Sequence, residues 1–199
     1  MTAALRVLRA GLRDTWQDFF STALCNLLWL VGVLLVIPAP PATLALFDYT
    51  NRLAHGETAG VGDFLRVFRR SWRTGWRWGV VVLAASALLA GDAFLTGRLS
   101  QSSLAHFAQG FYLAVLAAWL FLQLYILPFL LEQEKPSLLQ ALRNGAVFLG
   151  KNIGFSVWLF LLLAVSLALG TVLFMLSLAA GGVFLAAVAN HAVIEKLSQ

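Results

Sequence analysis

The chain has 199 residues, 60% of them hydrophobic and only 12% charged, with a net charge of +5 and a mean hydropathy of +0.83. A soluble domain is roughly 45–50% apolar and about 25% charged, and such a fold would lack the polar surface to cover this much Leu, Val, Ala and Phe. The lone cysteine, Cys25, excludes an intramolecular disulfide framework, and the arginines flank apolar segments, which points to membrane orientation rather than nucleic acid.

Arg6, Arg9 and Arg13 open the chain. A cleavable signal peptide would use them as its basic region and Thr22–Ile37 as its core. That core exceeds the usual ~7–15 residues and Pro38-Ala39-Pro40-Pro41 is a poor cleavage site, so the segment is expected to stay in the mature protein. Thr15–Ile37 is long enough to cross roughly 30 Å of hydrocarbon, and the prolines then break the helix. Ala42–Leu53 resumes a helical pattern but, at ~18 Å, is short for a span. It carries Asp48, Asn51 and Arg52, and is therefore expected to be shielded by other helices rather than to face lipid. Arg6, Arg9 and Arg13 precede the prolines; Arg52, Arg66, Arg69, Arg70, Arg73 and Arg77 follow them. Both groups belong on the cytoplasmic side, so the segment between goes out and returns, turning at the prolines.

His55 and Glu57 fall in a loop, and Gly60-Val61-Gly62 lacks the strand and third glycine of a dinucleotide fold, so it reads as a connector. Next, Phe64, Phe68, Trp72 and Trp76 share one helical face with Leu65, opposite Arg66, Arg69, Arg70, Arg73 and Arg77. Such a helix suits the headgroup boundary of an anionic leaflet, where it would orient the protein or dock a partner. Leu5-Arg6-Val7-Leu8-Arg9…Arg13…Trp16 recurs sixty positions later as Leu65-Arg66-Val67-Phe68-Arg69…Arg73…Trp76, with six of twelve positions identical. Chance similarity between two basic amphipathic helices is the competing explanation.

Further apolar stretches are Trp76–Leu95, His106–Leu131, Ile153–Gly170 and Thr171–Ile194. The last two form one run that must turn back, at Gly170-Thr171 or as late as Ser177. Ser137–Gly150 reads as a third surface helix, opened by the capping pattern Ser137-x-x-Gln140 after Pro136. The expectation is an all-α polytopic transmembrane bundle of about six membrane segments with interfacial helices, the first hairpin partly short or re-entrant. It forms a single membrane domain of three units, 1–55, 60–131 and 136–196, with both termini cytoplasmic. Of the 14 basic residues only Arg98 then lies outside, whereas a five-span arrangement strands six arginines there.

No catalytic constellation emerges, and no enzyme, cofactor or metal is expected. His191 and Glu195 share a helical face beside Asn190, but without His-Glu-x-x-His spacing they read as a polar helix end. His106 has no ligand companion. Intramembrane polar residues are stronger candidates because burying them is costly: Asn26, Asp48 and Gln123. Asn26 and Gln123 suit interhelical hydrogen bonds; Asp48 either pairs with Arg52 one turn on or serves a ligand or proton. Pro128 is expected to kink its helix. Ser177, Ala179, Ala180, Gly181, Gly182, Ala186 and Ala187 give the last span a small-residue surface, for packing inside the chain or in a homo-oligomer.

Several motifs together resemble the YesL-like family of bacterial membrane proteins: Asn26-Leu27-Leu28-Trp29-Leu30, Ile37-Pro38, Pro41-Ala42-Thr43-Leu44-Ala45-Leu46, Gly56-Glu57, Phe64…Phe68-Arg69-Arg70-Ser71-Trp72, Tyr125-Ile126-Leu127-Pro128 and Ser137-Leu138-Leu139…Leu142-Arg143-Asn144. The likeness runs over roughly residues 20–152 and rests on their order. It implies a small polytopic protein of the bacterial cytoplasmic membrane, of uncharacterised activity and with no catalytic residues to carry over. Members are often encoded near carbohydrate-uptake and sensing systems, which implies an accessory or scaffold role beside such a membrane partner. The alternative is a small oligomeric transporter or channel using Asp48.

Overall fold

The computed structural model describes residues 2–99, 102–172 and 174–197, and the side chains of all these except positions 2, 17, 99, 170–172, 174–179 and 196. Among the described residues there are nine helices and no strand: α1 (Thr2–Gln17), α2 (Phe19–Leu34), α3 (Ala39–Ala54), α4 (Val61–Arg70), α5 (Trp72–Leu99), α6 (Ser103–Leu131), α7 (Leu138–Lys151), α8 (Ile153–Val172) and α9 (Phe174–Leu197). Trp72–Arg98 and Ser103–Leu131 are each long and apolar enough to cross a bilayer. Two bent pairs, α1–α2 at 97° and α7–α8 at 96°, bring the candidate spans to as many as four. The chain is thus an all-helical protein of membrane character.

The stretch Thr15–Ile37, expected as one crossing, is divided. Asp18 accepts a hydrogen bond from the Ser21 backbone N–H at 3.2 Å and caps α2; hydrogen bonds from Ser21 hold its carboxyl below the ordinary 3.8. Upstream, α1 is held flat against α9. Asp14, 1% exposed, meets His191 at 2.5 Å, and Arg6 meets Glu195 at 2.6 Å. Gly11 touches Val188 so closely that a Cβ would come within 2.6 Å of it. What remains of the span is the 16 residues of α2, about 24 Å of helix.

Beyond Leu34 the chain reverses and α3 runs back along α2, tied by Trp29 Nε1 donating to Thr43 Oγ1 (3.1 Å) and by the Thr22–Tyr49 hydroxyl pair (3.3 Å). α3 is the centre of the molecule: between Pro40 and Thr50 only Thr43 and Asp48 escape full burial, and α2, α4, α5, α6 and α9 all pack on it. This is the shielding that its polar content called for. Gly75 and Gly79 allow α5 to ride directly on Pro40 and Pro41; a Cβ at Gly75 would meet the Pro41 backbone at 2.7 Å.

α5 and α6 form an antiparallel pair in which Trp119 Nε1 donates to Ser86 Oγ at 3.2 Å. Phe121 and Phe160 rings (4.1 Å) and the Tyr125–Ser156 hydroxyls (2.9 Å) then join α6 to α8. Pro128 lies inside α6 and is buried. The junction of α8 and α9 falls at position 173, outside the described residues, as do the side chains of Ser177 and Ala179. Of the small-residue surface, Ala186 and Ala187 are fully buried within the chain, and Gly182 lies under the Trp29 ring.

Candidate functional site

The second arginine stretch is not one helix. α4 stops at Arg70, Ser71 is its C-cap, and Trp72, Arg73, Trp76 and Arg77 occupy the first turns of α5. The break leaves Arg66, Arg69 and Arg70 on α4 and Arg73 and Arg77 on α5, and both helices pack on α3. Gly60 caps α4, its N–H donating to Asp63 at 3.1 Å, and Asp63 also holds Arg66 at 2.8 Å. Among the described residues no carboxylate lies within 4.0 Å of Arg69, Arg70, Arg73 or Arg77. Arg69, Arg70, Arg73 and Arg77 are exposed, and beside them Leu65 and Trp72 remain 38% and 39% exposed. The result is a track of unneutralised guanidinium groups flanked by apolar surface.

On its inner side this track borders a cleft of about 480 Å³, walled by Asp48, Arg52, Arg66, Arg70, Gln133 and Glu134. Asp48 projects into it from α3 and accepts from Arg52 Nε at 2.9 Å, the one-turn pairing that the sequence allows. Arg52 also reaches Glu57 at 3.9 Å. Two arginines here each have a carboxylate partner, and Arg70 has none, so an anionic group entering the cleft would meet a donor not already engaged.

Asn26 and Gln123 lie elsewhere. Asn26, fully buried in α2, accepts from the backbone N–H groups of Gly182 (2.8 Å) and Val183 (3.2 Å) on α9. Gln123 Oε1 accepts from Trp78 Nε1 at 3.2 Å, while its Nε2 donates to the Trp119 carbonyl at 3.0 Å. Each ties neighbouring helices, and neither borders the cleft with Asp48. His191 and Glu195 do share a face, and that face meets Asp14 and Arg6 of α1. His106 caps locally against the Ser102 carbonyl at 3.0 Å.

Sequence reasoning passed over the far wall of the cleft. Gln133 and Glu134 come from the α6–α7 connection, and the neighbouring Glu132 accepts from Asn51 Nδ2 at 2.7 Å and stands 3.5 Å from His55. In sequence these residues are an ordinary polar loop. Only the packing of α6 against α3 brings them to Asp48 and Arg52.

No curated protein and no solved structure matches the chain. Residues 22–93, which hold the proline turn, Asp48, Arg52 and the whole arginine track, are similar to the family described as a protein of unknown function, DUF624.

Proposed function

We propose that this is a non-enzymatic accessory protein of a bacterial cytoplasmic membrane, of the YesL-like kind. It is multi-pass with about six membrane segments, the first hairpin short or re-entrant, and both termini are cytoplasmic. Its α4–α5 track rests against anionic headgroups and offers a basic docking face to a membrane partner, in carbohydrate uptake or sensing as the family resemblance suggests. The observation that carries this reading is the run of exposed arginines with no carboxylate partner beside exposed Leu65 and Trp72. Buried structural cations are normally paired, whereas unpaired exposed ones are free to meet anionic lipid or an acidic surface. Mild-detergent co-purification from native membrane tests the role: a partner from an uptake or sensing system is expected. Recovery of none, together with unchanged uptake and sensing in a deletion strain, overturns it.

One observation favours a second reading, a small oligomeric transporter or channel: the cleft reaches an acidic residue on a helix that begins at a proline break, an arrangement transporters use. Reconstituted protein would then show solute flux that Asp48→Asn reduces. Flux indifferent to this change removes Asp48 from any pathway.

A further inference from the structure

We propose that the α2–α3 turn, Leu34–Ile37, ends inside the hydrocarbon and is covered by lipid acyl chains, so that α2 and α3 form a re-entrant wedge with no loop in the far aqueous compartment. The inference rests on the membrane reading above and specifies what covers this turn.

Four consecutive apolar side chains are exposed here: Leu34 80%, Leu35 63%, Val36 69% and Ile37 64%. A turn sends successive side chains in different directions, so one flat protein face would cover only part of this surface, whereas an apolar solvent covers all of it. The exposed surface continues down α2 through Val31, Leu27, Leu24 and Phe20, a spacing that keeps to one side of a helix.

The backbone makes the same demand. A reversal within hydrocarbon has no water to satisfy its N–H groups, and a helix start ordinarily leaves its first four unpaired. From Leu35 to Ala42 no donor is left over. Leu35 donates to Val31, Val36 to Val33, Ile37 to Leu35, Ala39 to Val36 and Ala42 to Pro38. The remaining positions are Pro38, Pro40 and Pro41, which have no N–H to satisfy. The prolines therefore do more than break a helix: they remove the donors that a helix beginning in lipid would strand.

Val36 adds a third argument. It adopts φ 63, a left-handed conformation strained for a β-branched residue. The other described left-handed residue, in the α3–α4 loop between His55 and Glu57, is Gly56 at φ 76. A turn in water would take Gly, Asn or Asp at such a position; keeping an apolar side chain despite the strain fits a turn bathed in lipid. By contrast, Arg98, Ser100, Gln101 and Ser102 make the α5–α6 connection polar in sequence.

The test is nitroxide accessibility in reconstituted vesicles, on a Cys25→Ala background. Val36→Cys and, as an independent site, Leu35→Cys report the turn, with Leu88→Cys on α5 as the lipid reference and Glu57→Cys as the water reference. Expected is a loss of collision with a water-soluble nickel chelate relative to Glu57→Cys, with oxygen collision retained at the level of Leu88→Cys. Chelate collision matching Glu57→Cys while Leu88→Cys stays lipid-like means that the turn emerges into water and overturns the proposal alone. Loss of collision with both reagents means a protein cover, a second copy included, and also overturns it. Chelate access at Leu88→Cys would instead overturn the membrane reading itself.

Discussion

Leu5–Trp16 and Leu65–Trp76 carry one pattern sixty positions apart, yet the two copies are put to opposite uses. In the first, Ala4, Val7, Gly11, Asp14 and Thr15 are buried against the bundle, and Arg6 and Arg13 stand beside Glu195 and Asp14. At the matching positions of the second, Phe64 and Gly75 are buried while Val67, Ser71 and Thr74 are only part-buried; Arg66 keeps a carboxylate partner in Asp63, but Arg73, the counterpart of Arg13, has none within 4.0 Å. The divergence follows side-chain size. Gly11 lets α1 close onto Val188 of α9, where the second copy has Ser71 instead. The second copy has its glycine one turn later, at Gly75, and docks α5 onto α3 instead. Shared arginines do not dictate a shared role; the small residues between them decide which face is consumed in packing.

The largest effect should come from the buried end of the first copy. Asp14→Ala takes its hydrogen-bond partner from part-buried His191 and is expected to cost about 3 kcal/mol, the upper end for a hydrogen bond left unmade in a packed interface. The equivalent Thr74→Ala should change stability by less than about 0.5 kcal/mol. Thermal unfolding in detergent measures both, and equal losses would mean that the two copies are packed alike. Next is a binding effect with no stability effect. Replacing Arg69, Arg70 and Arg73 together by Gln should weaken binding of anionic over neutral lipid to the detergent-solubilised protein by about 1 kcal/mol per arginine, with an unchanged unfolding midpoint. A lowered midpoint with intact anionic-lipid preference would place this track in the structure rather than at its surface.

Glycine docking predicts a smaller, symmetrical loss. Gly11→Ala pushes a methyl to within 3.0 Å of the Val188 backbone, and Gly75→Ala to within 2.7 Å of Pro41. Each should cost about 1–3 kcal/mol by overpacking. Ser71→Ala, the second copy's counterpart of Gly11, should be nearly neutral, and a comparable loss there would contradict the size argument.

Much of this frame was legible in the residues. Trp76–Leu95 and His106–Leu131 were visible as long apolar runs and became α5 (Trp72–Leu99) and α6 (Ser103–Leu131), extended by about one turn at both ends of α5 and at the start of α6. The Asp48–Arg52 pair follows from its one-turn spacing. Other features are set by partners distant in sequence. Asp14 and His191 are 177 residues apart, and neither carries a local signal of the other. Gln133 and Glu134 join the cleft only because α6 ends beside α3. The break at Asp18 was masked differently: an Asp three residues before Ser21 is a capping pattern, but the long apolar run that follows it suggested a span continuous with Thr15–Gln17.

That break gives the smallest effect and the last contrast between the copies. Sixty positions after Asp18 stands Trp78, inside α5, where the helix simply continues. In the first copy Asp18 ends α1, caps α2 and sits at the 97° bend. Asp18→Ala should therefore cost about 1 kcal/mol at neutral pH, the usual worth of such a cap. Because hydrogen bonds from Ser21 hold the folded carboxyl below 3.8, its charge-dependent share of stability is complete above the unfolded value and is lost as pH falls through the lower, folded one. The midpoint difference between the native chain and Asp18→Ala should accordingly be constant from pH 7 to about 5 and shrink below about 4. Asp18→Asn keeps the acceptor without the charge, so it should retain most of the neutral-pH stability and show none of this acid dependence. If Asp18→Asn and Asp18→Ala are equally destabilised, the carboxylate charge rather than the hydrogen bond stabilises the bend; if neither loses stability, α1 is held on α9 without help from the cap, through contacts such as Asp14–His191 and Arg6–Glu195.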